Sequence, residues 1–151
     1  MALLDSERVH HIGIPVRDIE RSISFYRDLI GIEADFVAAS RGEAVADLVG
    51  VPEADMLFAF IPLGNVVLEL LEYRNPRGGD YVLRNCDVGA VHIAFETHDL
   101  DAIETRLVEA GVHVGSGALH IDSGPLAGYA TLYFRDPDGV QLEAMQTAAH
   151  H

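Results

Sequence analysis

The 151-residue chain contains no lysine; its ten basic residues are all arginines. That absence removes Schiff-base catalysis and the lysine of a phosphate-binding loop. Positive charge is scarce altogether, because 24 acidic residues against those ten leave a formal net charge of −14. Affinity for nucleic acid and for anionic membrane surfaces comes largely from Lys and Arg neutralising phosphate, so neither is an expected partner. Cys86 is the one cysteine, which excludes an intrachain disulfide and a thiolate metal cluster and leaves it as a small linker residue. No apolar run approaches the roughly 20 residues needed to cross a bilayer. The opening stretch MALLDSERVH has no apolar segment of the signal-peptide kind, and a cytoplasmic protein is expected.

What the chain does have is apolar character, at 49% of residues, enough for one ordinary domain or for two small halves. Self-comparison favours the halves. HIGIPVRDIERSISFYRDLIGI, residues 11 to 32, matches HIAFETHDLDAIETRLVEAGV, residues 92 to 112. His11 stands seven residues before Asp18, and His92 seven before Asp99. Each Asp opens an amphipathic run that closes at Gly31 or Gly111. This is a strand, a turn and a helix, written twice.

In the first strand Ile12, Ile14 and Val16 share one face while His11, Gly13 and Pro15 share the other. Ile93 and Phe95, against His92, Ala94 and Glu96, repeat the division. Asp18 and Asp99 are expected N-caps, and Gly31 and Gly111 suit left-handed C-terminal caps. Ile19, Ile23, Tyr26 and Ile30 have helical spacing, as do Leu100, Ile103, Leu107 and Ala110. Two hairpins are signalled, one around Leu63-Gly64-Asn65 and one around Asp136-Pro137-Asp138-Gly139. Each half therefore reads as a strand, a helix and about three strands. The expected division is a first module over 1–73, a connection over 74–87, a second module over 88–147 and a tail over 148–151 that includes His150 and His151. The stretch SRGEAVADLVGVPEADM is extra to the first half and is read as a short helix or a mobile flap.

Each half also ends with a glutamate in an apolar strand. Glu69 opposes the face of Val66, Leu68 and Leu70, and Glu143 that of Val140, Leu142 and Ala144. A carboxylate in such a setting needs a partner, because a buried unpaired charge is strongly disfavoured. Two histidines at strand starts and two glutamates at strand ends, matched across the repeat, make a nitrogen and oxygen ligand set. His11, Glu69, His92 and Glu143 would suit one borderline divalent cation, such as Ni, Co, Mn, Fe or Zn, with positions open for water or substrate. His11, not its neighbour His10, aligns with His92; His10 shares the face of Ile12 and Ile14 and is read as a packed or hydrogen-bonded structural histidine.

HIGIPVRDIERSISFYRDLIGI, VVLELLEY, HIAFETHDLDAIETRLVEAGV and YFRDPDGVQLEAMQ together resemble the signature stretches of the vicinal oxygen chelate superfamily, the glyoxalase, bleomycin-resistance and extradiol-dioxygenase group. The resemblance spans residues 8 to 147. It implies an α+β fold of two βαβββ modules, whose curved mixed sheets surround a metal-binding cavity. It also implies that the metal ligands of glyoxalase I and methylmalonyl-CoA epimerase fall at His11, Glu69, His92 and Glu143. In such members the cation stabilises an enediolate or similar anion while a carboxylate moves a proton. Glu143 or Glu69 would be that base, one remaining a ligand as the other moves; Glu96 and Glu43 are auxiliary acid or base candidates.

Departures narrow the choice. Short glutathione-dependent glyoxalases carry an arginine where this chain has Pro15, and a lysine near Ala127 or Gly128. With so acidic a surface, glutathione, coenzyme A and a phosphonate are poor fits. The expected function is an isomerase or lyase acting by epimerase-type proton transfer on a small oxygen-chelating substrate. One alternative is an extradiol dioxygenase built on His11, His92 and Glu143, although Glu69 argues against it. The other is a non-catalytic drug-binding protein, a class whose members generally lack the ligands. Such modules often pair across chains, so a homodimer is expected.

Overall fold

Asp18 and Asp99 start the two long helices in the same way, each with extended backbone and a side-chain oxygen accepting from the amide three residues on, at 3.0 Å in both. The computed structural model describes residues 6 and 8–148; the tail histidines His150 and His151 lie outside them. The chain divides into two compact units, one ending at Gly79 and the other beginning at Asp80.

Unit 1 runs β1 (His11–Pro15), α1 (Ile19–Ile30), β2 (Val37–Arg41), α2 (Glu43–Val49), β3 (Asp55–Pro62) and β4 (Val67–Asn75). Its sheet order is β1-β4-β3-β2, with β1 parallel to β4 and the other pairs antiparallel. Unit 2 runs β5 (Ile93–Thr97), α3 (Leu100–Glu109), β6 (Leu119–His120), β7 (Ala130–Arg135) and β8 (Gln141–Gln146), in the order β5-β8-β7-β6 with the same parallel pair. The architecture is the α+β arrangement of two four-stranded mixed sheets read from the repeat. The inserted segment of the first half forms the short helix α2, set between Gly42 and a left-handed Gly50.

Both hairpins turn where expected. Gly64 takes a φ of +79°, and the amide of Leu63 donates to the carbonyl of Val66 at 2.9 Å. In the second, Gly139 takes a φ of +86°, while the Asp136 carboxylate accepts from the amides of Asp138 and Val140. A positive φ is inexpensive only for glycine, which fixes these turns and with them the register of the strands they join.

One face of each sheet is covered by its own helix, α1 lying on β3 and β4 and α3 on β7 and β8. Ile14, Ile19, Tyr26, Ile61, Leu68 and Leu70 are buried in the first core, and Leu100, Leu107, Leu132, Phe134 and Leu142 in the second. Full burial of such a side chain stabilises by about 1.5–3 kcal/mol. Ala110 departs from the expected helical face: α3 ends at Glu109, so Ala110 becomes an exposed cap and Gly111, at φ +73°, makes the turn.

A second tie at each helix start was not foreseen. The Ile19 amide donates to Glu72 Oε2 at 2.9 Å, and the Leu100 amide to Gln146 Oε1 at 2.8 Å. Glu72 and Gln146 each lie three residues past the apolar-strand glutamate. The last strand of each unit thus satisfies an orphan amide of that unit's first long helix.

Candidate metal centre

The register places the four candidate residues at duplicate positions. Glu69 on β4 pairs across to Gly13 on β1, and Glu143 on β8 pairs to Ala94 on β5. The histidine lies two residues before that partner in each case, which puts it on the same sheet face as the glutamate. His11 Nε2 stands 3.1 Å from Glu69 Oε2, and His92 Nε2 stands 3.0 Å from Glu143 Oε2. The faces involved are those the helices leave open.

The structure therefore groups the candidates as two pairs, one in each unit. Among the described residues no set of three or more His, Cys, Asp or Glu side chains is gathered closely enough to hold an ion. Each pair nevertheless offers one imidazole nitrogen and one carboxylate oxygen at mutual ligand spacing, the donor types that suit a borderline first-row divalent cation. Both histidine side chains are about two-fifths exposed, at 42% and 44%, so their nitrogens can be reached from solvent.

The surroundings of the two carboxylates differ. The Glu143 side chain is 6% exposed, whereas that of Glu69 is 18% exposed. Glu143 meets a hydroxyl: Thr131 Oγ1 on β7 donates to its Oε1. Tyr133, directly opposite Glu143 in the hairpin, has its hydroxyl 3.4 Å from His92 Nε2. Burial, then the charge of Glu143 and a hydrogen bond to it, pushes the Tyr133 phenol above its ordinary pKa and keeps it a protonated donor. Opposite Glu69 stands Phe60, whose ring stacks on that of His11 at a centroid distance of 6.3 Å. Phe36 and Phe58 complete a cluster, with centroids 5.2 and 5.9 Å from that of Phe60.

The histidines differ as well. His10 Nδ1 lies 2.8 Å from His11 Nδ1, so the tandem histidine braces the ring of its neighbour. One Nδ1 of that pair carries the proton and the other accepts it, which fixes the tautomers together. His10 is exposed and hydrogen-bonded to a candidate ligand, in keeping with its reading as a structural histidine. Val91 holds its place before His92.

The auxiliary candidates go elsewhere. Glu96 Oε1 accepts from the hydroxyl of Thr147 at 3.0 Å. Glu43 lies in the first turn of α2, lining a cavity of about 480 Å3 with Arg41, Asp47, Glu53 and Asp55, and neither His11 nor Glu69 lines it. Thr131, Tyr133, Phe58 and Phe60 were not singled out from sequence. The signal was present: Phe60 is four residues before Gly64 and Glu69 four after Asn65, while Tyr133 and Glu143 lie five to either side of Asp138.

The model of the glyoxalase/bleomycin resistance protein/dioxygenase superfamily matches residues 8–144. The chain belongs to that superfamily. Among its superfamily relatives, 2-epi-5-epi-valiolone epimerase from an Actinomyces species is 34% identical over 146 residues, covering 93% of this chain and 80% of that one. An ethylmalonyl-CoA/methylmalonyl-CoA epimerase from Cereibacter sphaeroides is 34% identical over 114 residues, 73% of this chain and 76% of the relative. A glyoxalase family protein from Bacillus cereus superposes with a TM-score of 0.82 at 20% identity, over 99% of both chains, which shows the superfamily fold. Among the described residues no helix is long and apolar enough to cross a membrane.

Proposed function

We propose that this superfamily member is a divalent-metal-dependent epimerase that moves a proton at a carbon next to a carbonyl in a small, oxygen-chelating substrate. The observation that carries the reading is the duplicated His–Glu pair, at 3.1 Å in one unit and 3.0 Å in the other, each on the sheet face away from its helix. That two relatives are epimerases supports isomerase chemistry over ring cleavage or simple sequestration.

His11 with Glu69, and His92 with Glu143, would be the ligand pairs, the histidines binding through Nε2 and the carboxylates through the Oε2 atoms that face them. When bound, the ion supplies Lewis-acid stabilisation of the oxygen anion left by proton removal. The chain's own groups do the rest. A carboxylate, Glu69 or Glu143, would take the proton from one face of the carbon while the other remains a ligand; a solvent water would supply the returning proton on the opposite face, and the base would release its own to solvent. The aromatic wall of Phe36, Phe58 and Phe60 beside His11 excludes water from one side of the reacting carbon and offers apolar contact. With no lysine and a net charge of −14, an uncharged substrate fits this chain better than a coenzyme A thioester or a phosphate ester. A homodimer in the cytoplasm completes the reading.

Elemental analysis of protein purified without a nickel column, repeated on His11→Ala and Glu143→Ala, tests the ligand set. One equivalent of Ni, Co, Mn, Fe or Zn in the wild type, lost in both variants, is expected. Metal content unchanged by both substitutions would overturn it.

A further inference from the structure

The hairpin carrying Glu143 differs from its counterpart at two positions that reach the carboxylate, with Tyr133 in place of Phe60 and Thr131 in place of Phe58. In unit 2 Tyr133 faces Glu143 and Thr131 faces Met145; in unit 1 Phe60 faces Glu69 and Phe58 faces Leu71. Thr131 and Phe58 thus occupy the same place relative to their glutamates, one diagonal step away on the same face, within side-chain reach. Only in unit 2 does that place hold a hydroxyl, and it is bonded to Glu143 Oε1.

The consequence follows from the geometry of a carboxylate. The terminal torsion of Glu is broad and nearly two-fold, so an unrestrained carboxylate can offer either oxygen, or both at once. Thr131 is β-branched with few χ1 choices, and a hydroxyl donating to a carboxylate makes a strong charge-assisted bond. With Oε1 held, Oε2 is left aimed at His92 Nε2, 3.0 Å away. Resting on the metal reading above, we propose that Thr131 is a positioning residue that restricts Glu143 to its Oε2 atom as a single-oxygen ligand. Glu69, with Phe58 at the matching place, has no such restraint among the described residues.

The test uses the full-length protein stripped of metal and titrated with Co(II). Thr131→Val removes the hydroxyl at nearly constant shape, and Thr131→Ser keeps it. Calorimetry is expected to show the valine variant binding Co(II) about 10- to 100-fold more weakly, the usual cost of losing a group that orients a ligand. The visible absorption of the bound Co(II) should change in the valine variant and return to the wild-type form with serine. A merely structural threonine would leave that spectrum alone. If valine prevents folding, as judged by far-ultraviolet circular dichroism, Thr131→Ala carries the same comparison. Wild-type affinity and spectrum in the hydroxyl-free variant overturn this inference alone. A wild type that binds no Co(II) overturns both it and the metal reading.

Discussion

The two units share a frame but brace their His–Glu pairs with different side chains. In unit 1 the histidine is supported, by His10 at 2.8 Å and by the Phe60 ring, while the carboxylate has apolar neighbours. In unit 2 the Thr131 hydroxyl supports the carboxylate, and Tyr133, its hydroxyl 3.4 Å from His92 Nε2, stands beside the histidine, which follows a plain Val91. Register and turn positions survive duplication because a one-residue slip would send every buried side chain to solvent. Side chains on the open face answer to no such constraint and are free to diverge. The comparison teaches that matching backbone positions do not imply matching duties.

The sharpest way to break this comparison is to neutralise each carboxylate in turn. Glu143→Gln and Glu69→Gln should each lower the rate of solvent-deuterium incorporation into substrate, and a loss of about 10²- to 10⁴-fold marks the carboxylate that serves as the base. Nuclear magnetic resonance of the exchanging proton measures it. A loss confined to one variant would show that only one unit performs chemistry.

Smaller effects belong to the helix starts, where the units are most alike. Asp18→Ala and Asp99→Ala should each cost about 0.5–2 kcal/mol, read from urea unfolding midpoints. Equal losses would support the equivalence, and an undisturbed midpoint in either would break it.

Least disruptive is Ser22→Ala. The Ser22 hydroxyl is fully buried and has no hydrogen-bond partner among the described residues, and the matching residue of α3 is Ile103. Removing an unsatisfied buried hydroxyl should be neutral or stabilising by up to about 1 kcal/mol. A clear drop in melting temperature would mean that the hydroxyl is hydrogen-bonded in the folded protein.

Much of this frame was legible because it is set by local chemistry. Asp18 and Asp99 announce helix starts, Gly64 and Gly139 announce turns, and period-two alternation assigns the strand faces. The pairing of His11 with Glu69 and of His92 with Glu143 followed from the repeat. The neighbours of those pairs were less visible, since they depend on which residue stands across a hairpin. Tyr133 and Phe60 could have been found by counting out from each turn; Thr131 could not, because a diagonal contact depends on side-chain rotamers. Ala110 was misplaced because an apolar residue at helical spacing does not say that the helix has already ended. β6 is two residues long, too short for any alternation to register.

The bonds from Glu72 to the Ile19 amide and from Gln146 to the Leu100 amide act as clasps. Each fastens the last strand of a unit to its own first long helix, and neither spans the junction between Gly79 and Asp80. A protease cutting at that junction would sever the backbone and leave both clasps shut, so each fragment should keep its long helix fastened to its own last strand.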